Sequence, residues 1–171
     1  MRPQDVAAHE PAPQRVLVTS RQELLQAVQL ALQVSVATVR ALHRDLAPFQ
    51  LASHATTDAL AALLAARRAA RVRLLVDDAT WLDTGAPRLR ALQRRFPHAL
   101  ELRVAAPADP VGDDAWLLAD DHSALEARVS RATSASLWLH HRAHAQPLLA
   151  SFDRRWEAAG HNLPVVPLGL G

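Results

Sequence analysis

Two adjacent acidic pairs, Asp77-Asp78 and Asp120-Asp121, and the histidine run His140-His141-x-x-His144 are the side chains best suited to chemistry. Clustered carboxylates hold hard cations such as Mg²⁺ through oxygen. Histidines three or four apart on a helix share a face that can hold Zn²⁺ beside an acid such as Asp120. The histidine run, however, straddles a strand end and a helix start, where faces are not shared simply, so polar turn residues are the plainer reading. The acidic pairs read the same way, because Asp closes strand ends and turns by accepting bonds from nearby backbone N–H groups. Asp121-His122-Ser123 has the residue types of a hydrolase triad, but adjacent hairpin residues are not expected to point into one another. Cysteine is absent, which removes disulfides, thiolate metal sites and a cysteine nucleophile. No catalytic set emerges, and neither a metal nor a cofactor is expected.

Every cation in the chain other than histidine is an arginine, and the formal net charge is only +2. That excludes the strong basic field typical of nucleic-acid binders. The runs Arg67-Arg68-Arg71-Arg73 and Arg88-Arg90-Arg94-Arg95 could present phosphate-binding faces. Arginine with acids scattered around it is more often a solvated surface, and aromatics that would stack bases are not interleaved. Nucleic acid is therefore not the expected partner. The four tryptophans read mainly as core or interface anchors, Trp81 being the one placed to wall a pocket.

These residues need elements to position them, and 171 residues suffice for one domain with a real core. Hydrophobic residues make up 50% and aromatics 4%, a balance that favours helices packed on a sheet over an all-β sandwich. Residues 1–15 read as a flexible lead, 16–160 as a single α/β domain and 161–171 as an extended tail. Val16-Leu17-Val18 suits a short strand or an extended entry. Ser20 with Glu23 fits a capping box opening a helix over 21–33, with Leu24, Leu25, Val28 and Leu32 inward. Residues 34–42 read as a buried strand, and Thr56 or Thr57 caps a helix reaching about Ala69. Residues 71–76 form the clearest strand. A helix opens at Thr84-Gly85-Ala86-Pro87, with Pro near the position where its missing N–H costs little. Strands follow at 100–104, 115–119, 125–129 and 136–140, the middle two as a hairpin, before a last helix over 143–159 stopped by Gly160.

That alternation implies an α/β fold with a mixed, mostly parallel sheet and helices on both faces. In such sheets ligands sit outside the carboxyl ends of the parallel strands. The rule picks out His43-Arg44-Asp45, Asp77-Asp78 and the loop after Val104.

The order of elements resembles a phospholipase D-like domain over about residues 20–158. Leu24 to Asp78 is similar to its first half, including a strand of the type Val-Arg-Leu-Leu-Val-Asp. Ala115 to Glu157 is similar to its ending, where a strand runs into an Asp-containing turn, two strands follow, and a helix of the form Ala-x-x-Leu-x-x-x-Phe-x-x-x-Trp closes the fold. Here that helix is Ala145 to Trp156, with Leu148 and Phe152 in place. Active members of that family carry His-x-Lys-x-x-x-x-Asp on the strand before the turn. With Asp120 as the family's Asp, Asp113 stands at the His position and Ala115 at the Lys position. The family's Gly-Ser-x-Asn has no counterpart, since the chain reads Leu125-Glu126-Ala127-Arg128. An acid beside a phosphate cannot serve as the phosphorus nucleophile, because like charges repel. The resemblance thus implies the fold, of a degenerate bacterial type, without its reaction.

The leading expectation is a non-catalytic binding or interaction module, with His43, Asp77, Trp81, Arg103, Asp120 and His140 as ligand-site candidates. A metal-dependent hydrolase using Asp and His at the strand ends, and nucleic-acid binding through the arginine helices, are the alternatives. The resemblance also implies a homodimer, since related domains pair about a two-fold axis. An acidic or phosphate-bearing ligand is expected, with no membrane partner. The N-terminus has no apolar run like a signal peptide and no stretch approaches a membrane span, so a soluble cytoplasmic location is expected.

Overall fold

The computed structural model describes residues 10–129 and 133–164. Strand β1 (Gln14–Val18) leads into helix α1 (Arg21–Val34), whose first turn is closed by the expected capping box. Ser20 Oγ accepts from Glu23 N–H at 3.1 Å, and Glu23 reaches back to Thr19 N–H at 2.8 Å. Then follow β2 (Thr38–Leu42), a 3₁₀ turn at Ala47–Phe49, α2 (His54–Ala66) and β3 (Arg71–Val76). A short helix α3 (Trp81–Gly85) precedes α4 (Pro87–Arg95) and β4 (Leu100–Val104). The chain closes with β5 (Ala115–Ala119), β6 (Ser123–Val129), β7 (Thr133–Leu139) and α5 (Arg142–Ala158).

The strands form one seven-stranded sheet in the order β1-β7-β6-β5-β2-β3-β4. Only β2/β3 and β3/β4 pair in parallel, and the other four pairs are antiparallel. The sheet is mixed and covered on both faces, but mostly antiparallel, correcting the parallel majority expected. Helix alternation stops after β4, and the links from β5 to β6 and from β6 to β7 are too short for a parallel crossover, which imposes antiparallel pairing on those strands.

Several boundaries also move. The run 34–42 splits, because Val34 ends α1 and the strand starts at Thr38. Helix α2 is capped by Ser53, whose Oγ accepts from Thr56 N–H at 3.3 Å, rather than by Thr56 or Thr57. Both threonines are buried instead. The domain begins at Gln14, inside the expected lead, while residues 1–9 of that lead lie outside the described residues. Of the tail, 161–164 is described and docked: Leu163 N–H donates to Leu102 O at 2.8 Å.

One face of the sheet, with Val39, Ala41, Val72, Leu74, Leu117 and Leu137, buries against α1, α2 and α4. The other face receives α5 as the one helix among the described residues, through Ala145, Leu149, Phe152 and Trp156 against Leu42, Leu75, Leu118 and Ala124, with Ala105 and Val111 of the β4–β5 loop beside it. Phe152 and Trp156, each all but fully buried, stack at 5.8 Å. No helix of the described residues is long and apolar enough to cross a membrane.

Candidate functional site

Strand direction decides which candidate residues can meet. Strands β2, β3 and β4 run the same way, so His43, Asp77 and the loop after Val104 share their carboxyl end. Strand β5 runs against β2 with Val39 opposite Ala119, which puts Asp120 beside Thr38 at the other end. In register Asp77 aligns with Arg44 and Asp120 with Thr38, so the two acids lie about 20 Å apart along the strand direction. A site joining Asp77, Arg103 and Asp120 therefore does not form. Nor does the metal-dependent hydrolase built on Asp77, Asp120 and the histidines, and no group of three or more potential ligands gathers among the described residues.

Both acids are used by the backbone. Asp120 sits at φ 52° and accepts N–H bonds from Val36, Ala37 and Thr38 at 2.7, 2.8 and 2.7 Å, closing the α1–β2 loop. Asp77 accepts from Val111 N–H at 2.7 Å and Gly112 N–H at 3.0 Å, pinning the β4–β5 loop. These are the turn-closing roles of Asp at work over long sequence separations. Arg103 is likewise structural: it donates to Trp156 O and Asn162 Oδ1, both at 2.8 Å, and its guanidinium lies 4.3 Å from the Trp156 ring.

The histidine run divides three ways. His140, at φ 52°, donates its N–H to Ser123 Oγ and stacks on His122 at 5.2 Å. His141 caps α5, its Nδ1 accepting from His144 N–H at 3.1 Å. His144 stacks on Trp138 at 4.1 Å and bonds Glu126 through Nε2 at 2.7 Å. One expectation fails here in an instructive way: His122 Nδ1 does lie 2.8 Å from Ser123 Oγ, although the residues are adjacent. The tight turn swings the imidazole back over its neighbour, while His122 Nε2 stands 3.6 Å from Asp120 Oδ2. Ser123 is nevertheless fully buried and its oxygen already accepts from His140, so no substrate reaches it.

The carboxyl end of the parallel strands is built differently. The turns after β2 and β3 are zipped together, with Asp77 and Asp78 N–H both donating to Arg44 O at 3.0 Å. His43 is buried, edge-on to Phe49, and accepts from Asp45 N–H at 3.2 Å through Nδ1. Burial holds its pKa below the ordinary value despite the Asp45 carboxylate, which works the other way. Trp81 opens α3 and donates its indole N–H to Asp78 O at 3.0 Å. Together with Asp45, Leu46, Gln50, Leu51 and Asp78 it lines a crevice of about 520 Å³. Asp78 stays ionised, its pKa lowered by the Thr80 N–H it accepts. Trp81 thus lines this crevice, while His43 and Asp77 are not among its lining residues. The strand-end rule had picked out Asp45, but Leu46 and Gln50 escaped the sequence reading. Their only signal was position after the β2 end, because the two left-handed residues there, Leu46 (φ 59°) and Gln50 (φ 44°), are not of the types that announce such a conformation.

A second cavity, about 750 Å³, opens where the resembled family keeps its nucleophile. Asp113, Asp114, Trp116, Glu126 and Arg128 line it. Arg155 binds Asp114 at 3.0 Å and lies 3.6 Å from Asp109. Ala115, at the family's Lys position, is 1% exposed and packed into the α1–α2 side of the core. The two arginine runs divide too. Arg71 and Arg73 belong to β3, where with Arg40 they line a groove of about 120 Å³, and Arg90 on α4 is held by Asp83 and Gln93.

Comparison with solved structures places the fold. Nuc from Salmonella typhimurium, a phospholipase D family member, superposes with a TM-score of 0.61 at 16% identity, covering 89% of this chain and 99% of its own. NucT from Helicobacter pylori gives 0.54 at 11% identity, covering 88% of this chain and 100% of its own. TrmBL2, an archaeal chromatin protein whose structure shows a novel mode of DNA binding, gives 0.61 at 14% identity over 85% of this chain, which spans only 53% of TrmBL2. At these identities the likeness concerns the fold alone, and the fold is phospholipase D-like. Comparison with curated proteins gives no match. The profile of a domain of unknown function, DUF7931, matches residues 20–164, and the chain belongs to that family.

Proposed function

We propose that this chain is a non-catalytic phospholipase D-like domain that works as a binding module, paired as a homodimer. The observation that carries the reading is the state of the vacated catalytic strand. Asp113 stands where the nucleophile would be, Asp114 is engaged by Arg155, and Ala115 is sealed in the core with no room for a lysine. A covalent phosphohistidine route has no nucleophile here, and the family's lysine has no counterpart. What supports binding instead is the preformed crevice beside Trp81, at the end of the sheet where α/β folds hold ligands. An acidic or phosphate-bearing ligand would find its complement at the Arg40–Arg71–Arg73 groove rather than in that crevice.

The test is turnover. Purified chain incubated with a broad panel of phosphodiesters, nucleic acid and phospholipid included, releases product no faster than buffer. Turnover that follows the protein through purification and vanishes in Asp113→Ala would sink the reading.

A further inference from the structure

The crevice beside Trp81 has a chemical character that names its ligand class. Its charged lining is acidic, from Asp45 and Asp78, with Gln50 and Ser53 as neutral polar neighbours, and no arginine or histidine lines it. Leu46, Leu51 and Ala52 supply an apolar floor, and the half-buried Trp81 indole supplies a π-face. Each carboxylate spends one oxygen on the backbone. Asp45 Oδ1 accepts from Ala47 N–H at 3.0 Å, and Asp78 Oδ1 from Thr80 N–H at 2.9 Å. The second oxygen of each accepts no hydrogen bond from the described residues. The indole N–H is tied to Asp78 O, which fixes the ring relative to one of the two acids. Two oriented carboxylates and a tryptophan in a partly apolar hollow attract a cation by charge and by the ring quadrupole. They repel an anion.

We propose that this crevice binds a small organic cation, with its ammonium group between the Asp45 and Asp78 carboxylates and its carbon body against Trp81 and Leu51. The volume, about 520 Å³, suits a metabolite-sized amine. The assignment rests on the binding-module reading and gives that module its ligand class. It also differs in charge from any phosphoester, so it owes nothing to the vacated strand.

The experiment uses the whole chain and an isosteric pair, tert-butylammonium chloride and tert-butanol, with sodium phosphate as the anionic probe. Binding is followed through the Trp81 indole N–H resonance. The ammonium probe shifts that resonance saturably, and the neutral alcohol binds at least about fivefold more weakly. Asp45→Asn and Asp78→Asn keep the oxygen that closes each turn, so the melting temperature holds while affinity for the ammonium falls by about threefold or more in each. Equal binding of the alcohol, or a shift with phosphate, overturns the cation assignment and leaves a pocket of other chemistry. A resonance unmoved by all three probes overturns it as well and removes the crevice as a site. The turnover assay above is untouched by any of these outcomes, so failure of the two readings can be told apart.

Discussion

At the residue scale the acids matter most, and they hold backbone rather than substrate. Asp120 closes the α1–β2 loop with three charge-assisted hydrogen bonds from consecutive N–H groups. Asp120→Ala leaves those donors without their acceptor at a part-buried site and removes a residue type that tolerates φ 52°. We expect a loss of about 3 kcal/mol in urea unfolding, with Asp120→Asn intermediate because one acceptor oxygen survives. An unchanged midpoint for the alanine variant would show that the loop is held by other means. Sequence reading did find Asp77 and Asp120 as turn residues. It could not find what they close, because their partners lie 34 and more than 80 residues away. The same limit applies to Leu46 and Gln50, which become pocket walls only once β2 and β3 are side by side.

At the element scale, strands with dense β-branched and leucine content were legible, and β3 and β4 lie where the residues placed them. Strand direction was legible only for the β5–β6 hairpin. Alternation of apolar residues is identical for either direction, and only connection length separates them. Helix α3 was missed because five residues, Trp81 to Gly85, are too few for a periodic pattern and include a glycine. Helix α5 was legible from its apolar spacing despite a defect in its middle. Pro147 is exposed and sits inside the helix, where it removes the donor for Ala143 O and crowds that carbonyl. The buried residues Ala145, Leu149, Phe152 and Trp156 hold the helix in place regardless. Pro147→Ala restores the hydrogen bond without touching the core, so stability should rise by about 2 kcal/mol after allowing for the freer unfolded chain. Thermal unfolding checks this, and a lower melting temperature would mean that the proline fits a bend on which the packing of α5 depends.

At the scale of the whole molecule the two edges of the sheet are unequal. The β4 edge is covered by the segment after α5, through the Leu163 N–H bond to Leu102 O and the Asn162 bond to Glu101 at 2.9 Å. The β1 edge has no comparable cover among the described residues. It also carries the most exposed large apolar side chain, Leu17 at 65%, beside Val16 at 40%. An open edge with apolar residues and no lysine or proline on the strand is a template for another strand. Pairing β1 with β1 of a second copy about a two-fold axis would satisfy both edges at once, with the same residues on each side of the contact. This is the contact through which the proposed homodimer would form. Light scattering should then report twice the 18.6 kDa chain mass. Leu17→Lys places a charge on that edge without disturbing the core, and should shift the population towards monomer while the melting profile stays cooperative. A monomeric mass for the unaltered chain would refute the dimer. A dimer indifferent to Leu17→Lys would keep the homodimer but move its contact away from β1.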